Sequence, residues 1–486
     1  MRRRRDLRFR SVAGARALTL AVALIGGLLL SACKTLSPDA GMDTVADIAG
    51  EALQADVQAI RTPEQAAAAR AKVEQLLRRP LTVRAAVQVA LLNNRGLQAD
   101  YNELGIAEAA MVEASLPPSP TFSLQRISGS VELEIERRIV GDILALATLP
   151  ARSEIAGDRF RQAQLHAAEA TLRAAAETRR AYYRSIAAVE TVGFLEQATA
   201  TAKTADELAK RLGESGAMNK LDQAREQVLY AEIAAQLAKA RQQAAGERER
   251  LVRAMGLSGR DLTFRIPGSL PALPARPRSA PTVEMQAVAR RLDLQIARIE
   301  LDALAKSLGL TQATRFLNLL ELSGVGKTTL DRPTGTRIIE RGFEAQLQIP
   351  LFDFGATRVR AAEETYMQAV NRLAGMAVNA RSQAREAYQA YRSSYDTAAH
   401  YRNEVLPLRK LISDEMVLRY NAMMIDVFAL LTEARQRVAS TITGVEAERD
   451  FWLATIDLDA AILGGGVSPP AEGSAAARAT DRAEGH

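Results

Sequence analysis

The sequence predicts a mainly α protein with a small β part, built from long antiparallel helical hairpins and four strands. Three observations carry this. Ser153 to Leu212 contains no proline and Ala356 to Arg419 contains only Pro407, so each run, rich in Ala, Arg, Glu and Gln, supports a helix of roughly 60 residues and about 90 Å. Short segments that alternate apolar and polar residues precede both runs. The order of elements then recurs with a period of about 200 residues. Mean helices run to only about 12 residues, so helices of this length must pack along one another.

The first 32 residues read as an export signal. Met1 to Arg10 is strongly basic, and Ala17 to Leu30 is an apolar run shorter than the ~20 residues of a comfortable spanning helix. Leu30, Ser31, Ala32 and Cys33 close it, and small residues ahead of a cysteine resemble the bacterial lipobox, in which cleavage leaves a lipidated cysteine. A plain signal peptide beside a chance cysteine is the alternative. Cys33 is the single cysteine, so no intrachain disulfide forms and stability must come from packing.

Residues 33–62 are poor in large apolar side chains and carry Pro38, Gly41 and Gly50, which predicts a tether with little fixed structure. A first repeat follows over 63–262. It opens with a short helix from Glu64 to Arg78, then a helix capped by Thr82 that runs to Leu116, where Pro117, Pro118 and Pro120 end it. Thr121 to Pro150 reads as β: Val131, Leu133 and Ile135 alternate with Glu132, Glu134 and Glu136 behind a Ser128–Gly129–Ser130 turn, and the pattern is less clean from Ile143. The first long helix breaks at Gly213 and Gly216, and Asn219 to Met255 returns. Residues 263–281 hold Pro267, Pro271, Pro274, Pro277 and Pro281 and form an extended linker.

The second repeat spans 282–463. Leu97, Gln98, Glu103 and Leu104 reappear as Leu294, Gln295, Glu300 and Leu301; Ala181 and Tyr182 as Ala387 and Tyr388; AREQV from Ala224 as ARQRV from Ala434. Its stretch RGFEAQLQIPLFDFG, from Arg341 to Gly355, changes period in the middle, from strand to helix. Phe343, Ala345, Leu347, Ile349 and Leu351 point to one face and Glu344, Gln346 and Gln348 to the other. A soluble sheet with one wet face would alternate in the same way. The tail over 464–486, rich in Gly, Ala, Pro and Ser, is expected to be disordered.

Composition excludes several functions. With 63 Lys plus Arg against 57 Asp plus Glu, the net charge of +6 is too mild and dispersed for nucleic-acid binding. GVGKTT, from Gly324 to Thr329, suggests a phosphate loop, but Glu321 occupies the position of its first glycine and no helix follows. A hairpin loop at the outer end of the second strand pair accounts for those glycines. The three histidines, His166, His400 and His486, are far apart and the sole cysteine is the candidate anchor, so neither a metal site nor a catalytic constellation is legible, and no cofactor is expected.

The lipobox, the segment from Pro80 to Leu124, the duplicated layout and QIPLFDFG together resemble the TolC-like outer-membrane factors, in particular the lipoprotein branch serving tripartite efflux pumps. The likeness covers Thr82 to Leu463. It implies a homotrimer in the cell outer membrane, lipid-anchored and extending into the periplasm, whose chains each give four strands to a transmembrane β-barrel and their helices to a periplasmic α-barrel. It also implies a periplasmic adaptor and an inner-membrane transporter as partners, outer-membrane lipid around Phe343, Leu347 and Ile349, and no enzymatic activity. Two positions depart from the family: Arg95 stands where proline is usual, and Ala422 where a glycine is common. Gly213, Gly216, Asp222, Ala422 and Asp426 fall at the two helix breaks, which in the family form the periplasmic tip and gate; carboxylates offsetting helix dipoles are the competing reading. A lipid-anchored periplasmic coiled-coil scaffold without channel activity is the alternative function.

Overall fold

The computed structural model describes residues 36–465; the signal segment, Cys33 and the tail beyond Gly465 lie outside them. Two compact units emerge, one centred on residues 103–163 and 297–372, the other on 42–102, 164–296 and the chain from Leu373. Helices and strands follow the predicted order twice.

Residues 42–53 correct the expectation of a formless tether. Short helical turns at Met42–Val45 and Glu51–Leu53 flank a π-helical Ala46–Gly50, because Val45, Ala49 and Leu53 recur every fourth residue and all three are buried. Helix α1 (Pro63–Leu77) begins in a capping box between Thr62 and Gln65. Helix α2 (Val83–Asn93) has Thr82 as its N-cap, accepting from the Ala85 N–H at 3.2 Å. The predicted single helix to Leu116 is in fact two. Asn94 is extended, and its Oδ1 accepts from Gly96 and Leu97 to start α3 (Arg95–Ala114). Arg95 thus holds the first helical position, where proline is favoured for the same geometry.

Strands β1 (Thr121–Ser128) and β2 (Glu132–Asp142) pair antiparallel across the predicted turn, where the Gly129 N–H donates to the Glu132 carbonyl at 2.8 Å. From Ile143 the chain is helix rather than strand. Asp142 Oδ1 accepts from the Ala145 N–H at 2.8 Å, and α4 (Ile143–Glu214) runs on through Pro150 for 72 residues. The return helix α5 (Lys220–Met255) ends at Gly256 with φ +67°; a Cβ there would lie 2.7 Å from the Asn93 carbonyl oxygen. The proline-rich linker is extended but not idle, since Phe264, Leu270 and Ala280 are buried in core clusters.

The second repeat comprises α6 (Val283–Arg290), α7 (Leu292–Ala313), β3 (Leu319–Asp331), β4 (Arg337–Gln348), α8 (Ala356–His400), α9 (Leu406–Asn421) and α10 (Val427–Leu463). A π-helical turn at Tyr401–Val405 joins α8 to α9, which lets the helix pass Pro407 without a break. The repeat is visible in its bonds: Tyr182 OH donates to the Leu81 carbonyl at 2.9 Å just before α2, and Tyr388 OH accepts from the Ala280 N–H at 3.4 Å just before α6. Small residues and aromatics fill the helical unit, with Tyr183 stacked on Trp452 at 5.1 Å.

Candidate functional site

Two features stand out for function, an open sheet and two similar helix turns. The sheet has the order β1-β2-β3-β4, all antiparallel, so β1 and β4 are its edges. Directly paired residues share a face. One face therefore carries the rows Phe343–Gly324–Ile139–Phe122 and Ala345–Leu322–Gly141, with Leu347 beside Leu320. Phe122, Leu124, Ile139, Leu322, Ile339, Phe343 and Leu347 on this face are all exposed, Phe343 to 83 %. Large apolar groups laid bare in such a contiguous band signal a non-aqueous neighbour. Ile349 lies just past the end of β4 and is exposed too.

The opposite face holds every strand carboxylate: Glu132, Glu134, Glu136, Asp142, Glu321, Asp331, Glu340 and Glu344. Arg138 bridges Glu136 and Glu344, each at 3.0 Å, and Lys327 meets Glu134 at 2.8 Å. GVGKTT is not a hairpin loop but lies inside β3, paired on both sides. Its backbone is committed to the ladder, whereas a phosphate loop needs free N–H groups. The turn itself falls at residues 332–336, with Gly335 at φ +67°.

The two helix turns have one geometry. Gly216 N–H donates to the Gly213 carbonyl and Ala217 N–H to that of Leu212; Met423 N–H donates to Tyr420 and Met424 N–H to Arg419 in the same pattern. Gly216 (φ +78°) and Met423 (φ +58°) take the left-handed position. The glycine-like position is thus Met423, and Ala422 precedes it in an ordinary conformation. Three residues after each comes the cap: Asn219 accepts from the Asp222 N–H at 2.8 Å, Asp426 from the Ala429 N–H at 2.9 Å. Asp426 is therefore the counterpart of Asn219, not of Asp222. Asp222 sits one turn on, taking hydrogen bonds from Asn219 at 2.7 Å and Arg225 at 3.1 Å, while Arg225 lies over the Phe428 ring. Gly213, in the last turn of α4, lies against Gln223, whose Oε1 would be 2.7 Å from a Cβ added there. Met423, Met424, Phe428 and Leu221 are exposed around these turns.

Among the described residues no group of three or more His, Cys, Asp or Glu stands close enough to hold a metal. His166 faces Glu169 and His400 faces Glu404 on exposed helix surfaces.

Residues 285–409, which span α6 to α9 with β3 and β4, match the family model of outer membrane efflux proteins. Solved structures agree over most of the chain. The channel CusC superposes with TM-score 0.66 at 16 % identity, covering 78 % of this chain and 91 % of that one. The Campylobacter jejuni CmeC outer membrane channel gives 0.67 at 15 %, covering 83 % and 89 %. The chain has the fold of the outer-membrane efflux channels. The open state of the Neisseria gonorrhoeae MtrE outer membrane channel shares this fold at TM-score 0.64 and 16 % identity, over 79 % and 89 % of the two chains. No curated protein matches the sequence significantly.

Proposed function

We propose that three copies of this chain form a passive exit duct, each giving four strands to a twelve-stranded outer-membrane barrel and its helices to a periplasmic conduit. A periplasmic adaptor and an inner-membrane transporter would complete the system and supply the energy. The observation that carries this is the open sheet: four strands with two unpaired edges, one face holding every strand carboxylate and the other a band of exposed large apolar side chains. Four strands cannot close, about eight being the practical minimum, so neighbouring copies must join β1 to β4. Lipidation of Cys33 fits the same location. The exposed apolar side chains around Met423 fit an adaptor contact, and a gate at the turns would place Asp426 or Asp222 near a three-fold axis. Purified protein in a planar bilayer tests the reading. Discrete single-channel steps are expected; a trimer without conductance would favour the lipid-anchored scaffold instead.

A further inference from the structure

The charge on the sheet is segregated more sharply than a duct requires. The strands carry six cations. Arg138 and Lys327 lie on the carboxylate face and are paired there. The other four, Arg126, Arg137, Arg337 and Arg341, all lie on the apolar face, where no strand carboxylate is found. All four are exposed, and among the described residues none of them has a side-chain hydrogen bond or ion pair.

Their register brings them together. Arg341 is opposite Gly326, which is opposite Arg137, with Leu124 beyond; Arg126 stands one apolar-face row further toward the hairpin end, opposite Ile135. Gly326 has open space above its backbone, so Arg341 and Arg137 flank a floor without a side chain. Two strand spacings of about 4.8 Å separate their backbones, a gap that two long guanidinium side chains can close around one anion. Arg337 lies a further row out, opposite Leu330.

Depth decides what the anion is. Arg341 is seven residues from Gln348, the helix end of β4, which at ~3.4 Å per residue and a tilt of about 45° is roughly 17 Å of height in an apolar band of ~25 Å. By the same measure Arg337 reaches the outer rim. An arginine in the outer third of such a band stretches its head toward the interface, and the partner within reach there is a lipid headgroup.

We propose that Arg126, Arg137, Arg341 and Arg337 form a binding site for the phosphate groups of an anionic glycolipid in the outer leaflet. This rests on the barrel reading above. The guanidinium forks would hold phosphate in charge-assisted, bidentate hydrogen bonds, while Phe122, Leu124 and Ile139 pack against the acyl chains.

The test uses the full-length trimer in phosphatidylethanolamine vesicles doped with either bisphosphorylated lipid A or its dephosphorylated form, with retained lipid counted after detergent extraction. The native protein should retain the phosphorylated form by a factor between roughly tenfold and hundredfold. The triple variant Arg126→Gln, Arg137→Gln, Arg341→Gln should lose that preference, whereas Arg138→Gln on the opposite face should keep it. Equal retention of both lipids by the native protein overturns the proposal, as does an undiminished preference in the triple variant. Competition by inorganic phosphate at matched concentration would overturn the lipid assignment in favour of a free-anion site. Conductance recorded on the same preparations separates the two claims: no channel refutes the barrel, while a normal channel without lipid preference refutes only the phosphate site.

Discussion

Replacing Phe343 by arginine puts a charge at the centre of the exposed apolar face. Phe343 is five residues from Gln348, which at ~3.4 Å per residue and a tilt of about 45° is roughly 12 Å of height, the middle of a ~25 Å apolar band. Its row, Gly324, Ile139 and Phe122, offers no carboxylate. An arginine there should cost on the order of 2 to 4 kcal/mol per chain, and one at Leu347 only about 0 to 1, because Leu347 is next to the strand end and its head can reach the interface. Gln346→Arg, on the polar face beside Glu321, should be close to neutral. Urea unfolding of the lipid-reconstituted trimers measures all three. Equal midpoints for Phe343→Arg and Gln346→Arg would refute the assignment of faces.

Other perturbations test the helical parts. Gly355 has φ +74°, and a Cβ there would lie 2.2 Å from the Arg315 carbonyl oxygen, so Gly355→Ala should destabilise by well over ~1 kcal/mol; Gly375→Ala, in open space within α8, should instead stabilise by about 0.5 to 1 kcal/mol. Denaturant midpoints distinguish them. Asp426→Ala should cost about 1 kcal/mol as a lost cap, while Asp426→Asn keeps the cap within a few tenths; if Asp426 also lines the gate, Asn should lower the cation-to-anion ratio in reversal-potential measurements, and an unchanged ratio leaves it as a cap alone. Glu226 is buried with Oε2 unpartnered, and burial, with Asp206 nearby, raises its carboxyl pKa. A raised carboxyl pKa means the native state loses stability as pH rises from the unfolded value of about 4.3 through the folded one. Glu226→Gln should therefore stabilise the protein at pH 7 and not at pH 3, and equal gains at both pH values would contradict this.

How far the sequence could be read follows from what each signal depends on. Long helices, the cap at Thr82 and the turn at Gly129 rest on local chemistry and are all present, while the cap at Asn219 emerges only from the structure. The break at Asn94 was not legible, since the apolar spacing continues across it and only the Asn94 side chain, capping the next helix, reveals it. Ile143 to Leu149 looked like poor strand because its apolar residues are dense; the Asp142 cap makes it helix. The glycines of GVGKTT suggest a turn in the sequence, yet in β3 they are the floor between larger neighbours. At the second helix turn, Met423 takes a left-handed conformation that methionine does not favour, so the equivalence with Gly216 appears only in backbone bonds. Segregation of arginines from carboxylates needed the strand register.

The central claim, that β1 of one copy pairs with β4 of the next, is tested most directly by cross-linking. Cys33 is the sole native cysteine, so Gln125→Cys on β1 combined in turn with Glu340→Cys, Glu344→Cys or Gln346→Cys on β4 reports this contact, with the single variants as controls. A disulfide needs Cα atoms about 4.4 to 6.8 Å apart, so at least one pairing should give covalent dimers and trimers on non-reducing gels. Monomer alone at every pairing, from protein that elutes as a folded trimer, would contradict the barrel.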